Sequence, residues 1–310
     1  MMILSPEYII IRGLPSSVCP SNEEYTLSRI ILSGLIIAII FITMIFAYLR
    51  YRDIPSDTAM IEAEIDRTTA ATLPPLTLED VEDDIWQNVV DGIEQRRYLP
   101  YDNPLAELIV MRVDPTLFEF RAHYRPAEPL SISEWSERLP NAEIIINANF
   151  FDENYLNLGL LISDGQAHGI PYTERGGWLA VVDGIPQVRS NVEHPYNPDE
   201  AHLDQAVQAF PMLVHNGQGT DVTDNGRPSR RTIIGMDSAG RILIISTPVL
   251  GMALSTLAEY LPTTDMDLVN AFALDGGRSS MLSVASAELV IPSVENVPSV
   301  LAIYPRTQPR

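Results

Sequence analysis

Hydrophobic residues between positions 105 and 304 come in short runs broken by polar turns, and helical spacing is scarce. Leu108-Ile109-Val110-Met111 leads through Asp114-Pro115-Thr116 into a stretch where Phe118, Phe120, Ala122 and Tyr124 alternate with Glu119, Arg121 and His123. That alternation predicts a hairpin with one solvated face. Further strands are predicted over 143–146, 158–162, 178–182, 185–188, 232–236, 241–246, 271–274 and 281–284. Asp164-Gly165, Asp183-Gly184, Asp237-Ser238-Ala239-Gly240 and Asp275-Gly276-Gly277 supply turns, and such short connections make antiparallel neighbours. Helical periodicity is confined to Leu254, Leu257, Ala258 and Leu261, to Ile132, Trp135 and Leu139, and to a short segment over 84–98. The pattern predicts an α+β fold in which a single domain, 105–310, carries one large mixed, mostly antiparallel sheet and few helices. There is no internal repeat.

The N-terminal part reads differently. Residues 30–49 are uncharged and nearly all apolar, long enough to cross the roughly 30 Å hydrocarbon layer as one transmembrane helix. Tyr48-Leu49-Arg50-Tyr51-Arg52 closes the run without the small residues of a cleavage site, which favours an uncleaved anchor in the lipid bilayer after a 1–29 tail. Arginines flank the span on both sides, so charge leaves its orientation open, with a slight lean toward a cytoplasmic C-terminal part. Over 50–104 the chain turns acidic and rich in Thr and Pro, as a solvated stalk does. The net charge of −21 argues against nucleic acid and against docking on anionic headgroups. A single cysteine, Cys19, permits no disulfide within the chain.

Four polar clusters interrupt the apolar strands. Asn147, Asn149 and Asp152 follow Ile144-Ile145-Ile146. His215, Asn216 and Gly217 end the run that starts at Phe210. Arg230 and Arg231 lead into Thr232-Ile233-Ile234. Asp275, Gly276, Gly277, Arg278, Ser279 and Ser280 follow Phe272-Ala273-Leu274. Each has a plain structural reading: Asn and Asp form turns, Asp-Gly closes hairpins, and paired arginines sit in solvent. Together they offer an acid, cations, hydroxyls and glycines that let a backbone come close to a ligand, which suits an anionic substrate.

The pattern resembles the phosphodiester glycosidase family. Six elements occur in the family's order: Arg112-Val113-Asp114-Pro115; Asn147 with Phe150-Phe151-Asp152; Gly159-Leu160 with Asp164-Gly165; the segment from Phe210 to Gly217; Arg231-Thr232 with Ile234-Gly235; and Leu274-Asp275-Gly276-Gly277 with Ser279-Ser280. The chain departs from the family at Ala148-Asn149, where many members have Gly-Gly, and at Arg278, where a third Gly is common. Side chains at those positions narrow the site or change its substrate.

The resemblance implies an extracytoplasmic domain that hydrolyses a sugar-1-phosphodiester in polysaccharide or glycolipid, as in exopolysaccharide or cell-envelope metabolism. It implies Arg231 as a clamp on the departing phosphate, helped by Arg230, Arg278 and the Gly276 and Gly277 N–H groups. Asp275, with Asp152 second, is the carboxylate for the anomeric carbon. Asn147, Asn149 and Asn216 would orient sugar hydroxyls, with His215 as proton shuttle and Gly217, Ser279 and Ser280 lining the site. No spacing matches a metal-loop motif, so neither metal nor cofactor is expected. A polysaccharide-binding protein without turnover and a glycosyl-transferring protein remain open on the same fold.

Overall fold

The computed structural model describes residues 85–307. The expected span over 30–49 and most of the expected stalk lie outside the described residues. Among those described, no helix is long and apolar enough to cross a membrane. They fall within one compact unit and hold twenty strands, numbered in chain order.

Three sheets share the work. The largest has eight strands in the order β1 (Gln87–Val90), β2 (Ile93–Tyr98), β3 (Leu108–Val113), β16 (Ile242–Ser246), β15 (Thr232–Asp237), β17 (Leu268–Ala273), β13 (Met212–His215) and β14 (Gln218–Gly219). A five-stranded sheet runs β11 (Ile185–Ser190), β10 (Gly177–Val182), β12 (Leu203–Ala209), β8 (Leu161–Ser163) and β9 (Gln166–His168). The other five-stranded sheet runs β19 (Leu289–Ile291), β18 (Leu282–Val284), β5 (Ile144–Asn147), β20 (Ser299–Pro305) and β4 (Phe118–Tyr124). A small pair, β6 (Phe150–Phe151) and β7 (Asn157–Leu158), stands beside them.

The inner faces of all three sheets meet in one core that includes Ile109, Phe120, Ile144, Ile146, Leu161, Leu179, Ile244 and Phe272. Outer faces are covered too. Ile145 packs with Trp135 of helix α1 (Ile132–Arg138), while Leu243 and Ile245 pack with Leu257 of helix α2 (Leu254–Tyr260). Strands buried on both faces read as continuous apolar runs, which is why Ile144-Ile145-Ile146 and Ile242-Leu243-Ile244-Ile245 carry no alternation. In β4, by contrast, Phe118, Phe120 and Ala122 are buried while Arg121 is exposed, as the alternation predicts. The two helices start differently. Ser131 and Glu134 form a reciprocal capping box at α1. At α2 the carboxylate of the distant Asp224 accepts the N–H groups of Leu254 (2.7 Å) and Ser255 (3.2 Å).

Four expectations need correction. The single mixed sheet is instead three, and all strand pairings among the described residues are antiparallel. The short helix over 84–98 is the hairpin β1–β2, turned at Asp91-Gly92, and β2 pairs along the whole of β3. The domain therefore begins before position 105. Strands β3 and β4 do not form a hairpin: β3 pairs with β16 and β4 with β20, so the Asp114–Leu117 turn is a corner between sheets. Likewise Asp275-Gly276-Gly277 carries the chain from β17 in one sheet to β18 in another. The other Asp-Gly turns, at Asp164 and Asp183, do close hairpins, with both residues at positive φ as a two-residue turn of that hand requires.

Because Phe120 lies where the sheets converge and is 2% exposed, Phe120→Ala should cost about 3–5 kcal/mol, read from the urea unfolding midpoint.

Candidate active site

The Asp275 turn is held from both sides by backbone hydrogen bonds. Leu274 N–H donates to the Thr232 carbonyl (2.9 Å) and Gly277 N–H to that of Arg230 (2.8 Å), while Asp275 N–H donates to the Ala148 carbonyl (3.2 Å). Asn147 ties these segments together. Its Nδ2 donates to the Asp275 carbonyl (2.7 Å), and its Oδ1 accepts from Thr232 Oγ1 (2.7 Å) and Met281 N–H (3.1 Å). One buried amide thus joins β5, the start of β15 and both ends of the Asp275 turn.

The Asp275 carboxyl is partly buried, and burial pushes it up to about 6. Hydrogen bonds from the Ser279 hydroxyl and the Gly276 N–H pull the other way, and the nearby Glu295 charge adds to the rise. The next residue, Gly276, packs on the arginine pair: a Cβ there would lie 3.5 Å from Arg231 Nη1 and 3.0 Å from the Arg230 carbonyl. Gly277 sits at φ 63°, in the left-handed region. Arg231 donates from Nε to the Met252 carbonyl (3.0 Å), and among the described residues its two Nη groups have no hydrogen-bond or ion-pair partner. Burial lowers the pKa of both Arg230 and Arg231, with the Asp224 charge partly restoring that of Arg231. These are cations without a neutralising carboxylate in ion-pair contact among the described residues.

The remaining candidates divide by placement. Arg230 clasps two backbone carbonyls, those of Pro292 (2.9 Å) and Ser280 (2.8 Å), and so fixes the loop after Asp275. The Gly276 N–H is spent on the Asp275 carboxylate (2.8 Å) and the Gly277 N–H on Arg230, so the free amides expected for phosphate are engaged within the turn. Arg278 points into solvent near Glu295, 3.5 Å away. Ser279 and Ser280 are buried, and Ser280 Oγ has no hydrogen-bond partner among the described residues. Asn149 turns inward, donating to the Leu160 (2.8 Å) and Gln208 (2.9 Å) carbonyls. Asp152 Oδ1 closes its own loop by accepting the N–H groups of Asn154 and Leu156, each at 2.9 Å.

His215, Asn216 and Gly217 are not brought to Asp275. Strand β13 runs antiparallel to β17, so Pro211 meets Ala273 while Gly217 meets Val269, which places His215 at the opposite end of β17. Asn216 and Gly217, at φ 50° and 76°, form the two-residue turn into β14.

The structure adds residues that no motif announced. Glu295 reaches Asp275 from a loop 20 positions further on, and nothing in its neighbours marks it. Phe210 packs on Phe150 (4.9 Å between centroids) and on Tyr172 (5.1 Å), with the Arg175 guanidinium 4.1 Å above its ring. Phe150 and Phe210 belong to elements already named, but Tyr172 and Arg175 do not, and the three segments are far apart in the chain. Among the described residues no three His, Cys, Asp or Glu side chains converge as metal ligands.

The phosphodiester glycosidase family profile matches residues 140–304, more than half of the chain and all four clusters. The chain belongs to the phosphodiester glycosidase family. Comparison with curated proteins gives no match. Among solved structures, the catalytic domain of zebrafish N-acetylglucosamine-1-phosphodiester alpha-N-acetylglucosaminidase, auto-inhibited by its pro-peptide, shares the fold. Its TM-score is 0.51 at 19% identity, over 69% of this chain and 82% of that one. A hypothetical protein from Synechocystis has a TM-score of 0.54 at 16% identity, over 71% of this chain and 63% of that one. The alignment thus spans less than two thirds of the Synechocystis chain.

Asn147→Ala should cost about 3 kcal/mol in urea unfolding, because it strands the Thr232 hydroxyl, the Met281 N–H and the Asp275 carbonyl.

Proposed function

We propose that this member of the phosphodiester glycosidase family is a membrane-anchored hydrolase acting outside the cytoplasm. It cleaves the bond between the anomeric carbon of a sugar and the phosphate of a glycosyl-1-phosphodiester in polysaccharide or glycolipid. Residues 30–49 supply the anchor. The observation that carries the reading is that the turn after Asp275 packs on the Arg230–Arg231 segment: a Cβ at Gly276 would lie 3.5 Å from an Arg231 Nη1 that has no hydrogen-bond or ion-pair partner among the described residues.

Arg231 binds two oxygens of the substrate phosphate and stabilises the charge that collects there as the bond breaks. The leaving group is a phosphate monoester, a weak base, so the reaction needs little acid assistance. Asp275 in its ionised form faces the anomeric carbon and takes a proton from the attacking water. The water oxygen bonds to the anomeric carbon, the carbon–oxygen bond to phosphate breaks with its electron pair, and the products are a free sugar and a phosphate monoester. A carboxyl with pKa about 6 is a stronger base than an ordinary one and is still ionised at neutral pH. Ser279 and Gly276 hold its orientation, and Asn147 and Arg230 hold the turn that carries it.

The departures from the family at three positions do not argue for a binding protein without turnover. Ala148 is buried in the core, Asn149 is committed to backbone carbonyls, and the Arg278 side chain is 70% exposed. Transfer to a sugar acceptor instead of water is distinguished by product analysis.

On a glycosyl-1-phosphodiester, kcat/KM should rise with pH through about 6, and Asp275→Asn should lower it at pH 7.5 by about 10³-fold. Retained activity in that variant would falsify the role. The same carboxyl ties stability to pH. Its folded pKa is raised above the unfolded value near 4, so its stabilising contribution is full below about pH 4 and is lost as pH rises through about 6, on the order of 2–3 kcal/mol. Asp275→Asn should flatten that slope in unfolding experiments run across the interval.

Arg231→Ala should lose about 10²–10³-fold on the phosphodiester and far less on a neutral aryl glycoside of the same sugar. Equal losses on both substrates would make Arg231 a structural residue only.

A further inference from the structure

A polar groove lies outside the Asp275 turn. Between edge strand β11 and the far ends of β13, β15 and β17 there is an open cavity of about 520 Å³, lined among others by Gln187, Arg189, Glu193, His215, Asn216 and Asn270. That volume is within the usual range for ligand sites. A second cavity of about 270 Å³ shares Ser190, Glu193 and His215 with it and reaches Gly176 and Met212. Gly176 abuts Phe210, since a Cβ there would lie 2.7 Å from Phe210 Cβ. Phe210 packs in turn on Phe150, two residues beyond the Ala148 carbonyl that accepts the Asp275 N–H. The two cavities therefore form one groove along β13 that reaches Gly176 and Met212, toward the end of β13 whose Pro211 carbonyl accepts the Ala273 N–H.

Its chemistry differs from that of the Asp275 turn. Arg189 is neutralised by both carboxylate oxygens of Glu200 (2.9 Å each) and accepted by Gln187. His215 faces Glu193 (2.9 Å) through Nε2 and Asn270 (3.2 Å) through Nδ1. Asn270 also donates to the Val188 carbonyl, so β11 is cross-linked to β17 at the groove floor. With Arg189 paired to Glu200, the groove offers little to phosphate. What it leaves without a protein partner, among the described residues, includes Gln187 Nε2 and Glu193 Oε2, a donor and an acceptor on side chains fixed by their other atoms, together with the His194 ring at its margin. Such an array suits hydroxyl groups, each of which both donates and accepts.

We infer that the groove from Met212 to Asn216 binds a neutral oligosaccharide, the glycan chain that continues beyond the scissile phosphodiester, so that the substrate is a polymer. The inference rests on the function proposed above for its link to catalysis, while the binding itself is tested separately. Full-length Asp275→Asn protein is titrated calorimetrically with neutral tetrasaccharides of dextran, mannan, galactan and chitin. At least one should bind, with inorganic phosphate failing to compete, and the double variant Gln187→Ala, Glu193→Gln should weaken it tenfold or more. Hydrogen exchange on the protein without the groove substitutions should show amide protection over 187–193 and 215–218 when the sugar is added. That readout decides the matter even if the double variant does not fold. No binding by any of the four, binding indifferent to the double variant, or protection confined to other segments overturns the groove. In protein with Asp275 intact, the double variant should cleave a methyl glycosyl-1-phosphodiester within twofold of the unsubstituted chain. If the unsubstituted chain does not cleave that ester, the hydrolase reading fails while the titration still decides the groove.

Discussion

The Asn147 side chain is the constraint on which the candidate site depends. It is 1% exposed, and through three hydrogen bonds it joins the end of β5, the start of β15 and the two ends of the turn that carries Asp275. A buried amide is costly to leave unpaired, so the three partners are locked as a set and no one of them can shift alone. Ligand-facing chemistry is thereby set on a floor of fixed polar contacts. Asn147 contributes no reacting atom, and its effect is exerted through where Asp275 and the neighbouring arginines are held.

Position within the sheets explains why polar groups collect at this place. Strand β17 leaves the eight-stranded sheet and β18 joins another sheet, with Asp275 to Ser280 making the crossing. Phe210 and Pro211 likewise join β12 of one sheet to β13 of another. At such crossings ladder hydrogen bonds stop and side chains must supply partners for the freed backbone groups. Arg230 does so for the Ser280 and Pro292 carbonyls, and Asn149 for those of Leu160 and Gln208. Arg230 and Arg231 have no acid in ion-pair contact among the described residues, while burial and the Glu295 charge keep the Asp275 carboxyl weakly acidic.

The groove along β13 differs, with Arg189 neutralised by Glu200 and the His215 ring hydrogen-bonded to Glu193. On the reading proposed above, the Asp275 turn takes the charged linkage and the groove the hydroxyl groups. A substrate that is anionic at one linkage and neutral elsewhere along a chain has both properties. Antiparallel pairing of β13 with β17 produces this division, since it carries His215 away from Asp275 although both follow apolar runs of similar appearance.

Much of the β framework was legible in the chain itself. Short apolar runs marked most strands, Asp-Gly pairs marked the turns at Asp164 and Asp183, and the spacing of Ile132, Trp135 and Leu139 marked α1, because these are local effects of pleat, positive φ and helical period. The residues of the Asp275 turn and the arginines before β15 stood out as polar clusters for the same reason. What only the tertiary structure decided was which runs meet. The Asp-Gly pair at Asp91 lay in a segment read as helix, and it needed the edge of β3 to become a hairpin. The turn at Asp275 has the same local signal as a hairpin yet joins two sheets. Glu295 and the aromatic wall came close through contacts between segments far apart in the chain. Local propensity fixes what a segment can be, but strand pairing is a choice among distant partners, made by the burial and hydrogen bonding of the whole domain, and a linear pattern carries almost no record of that choice.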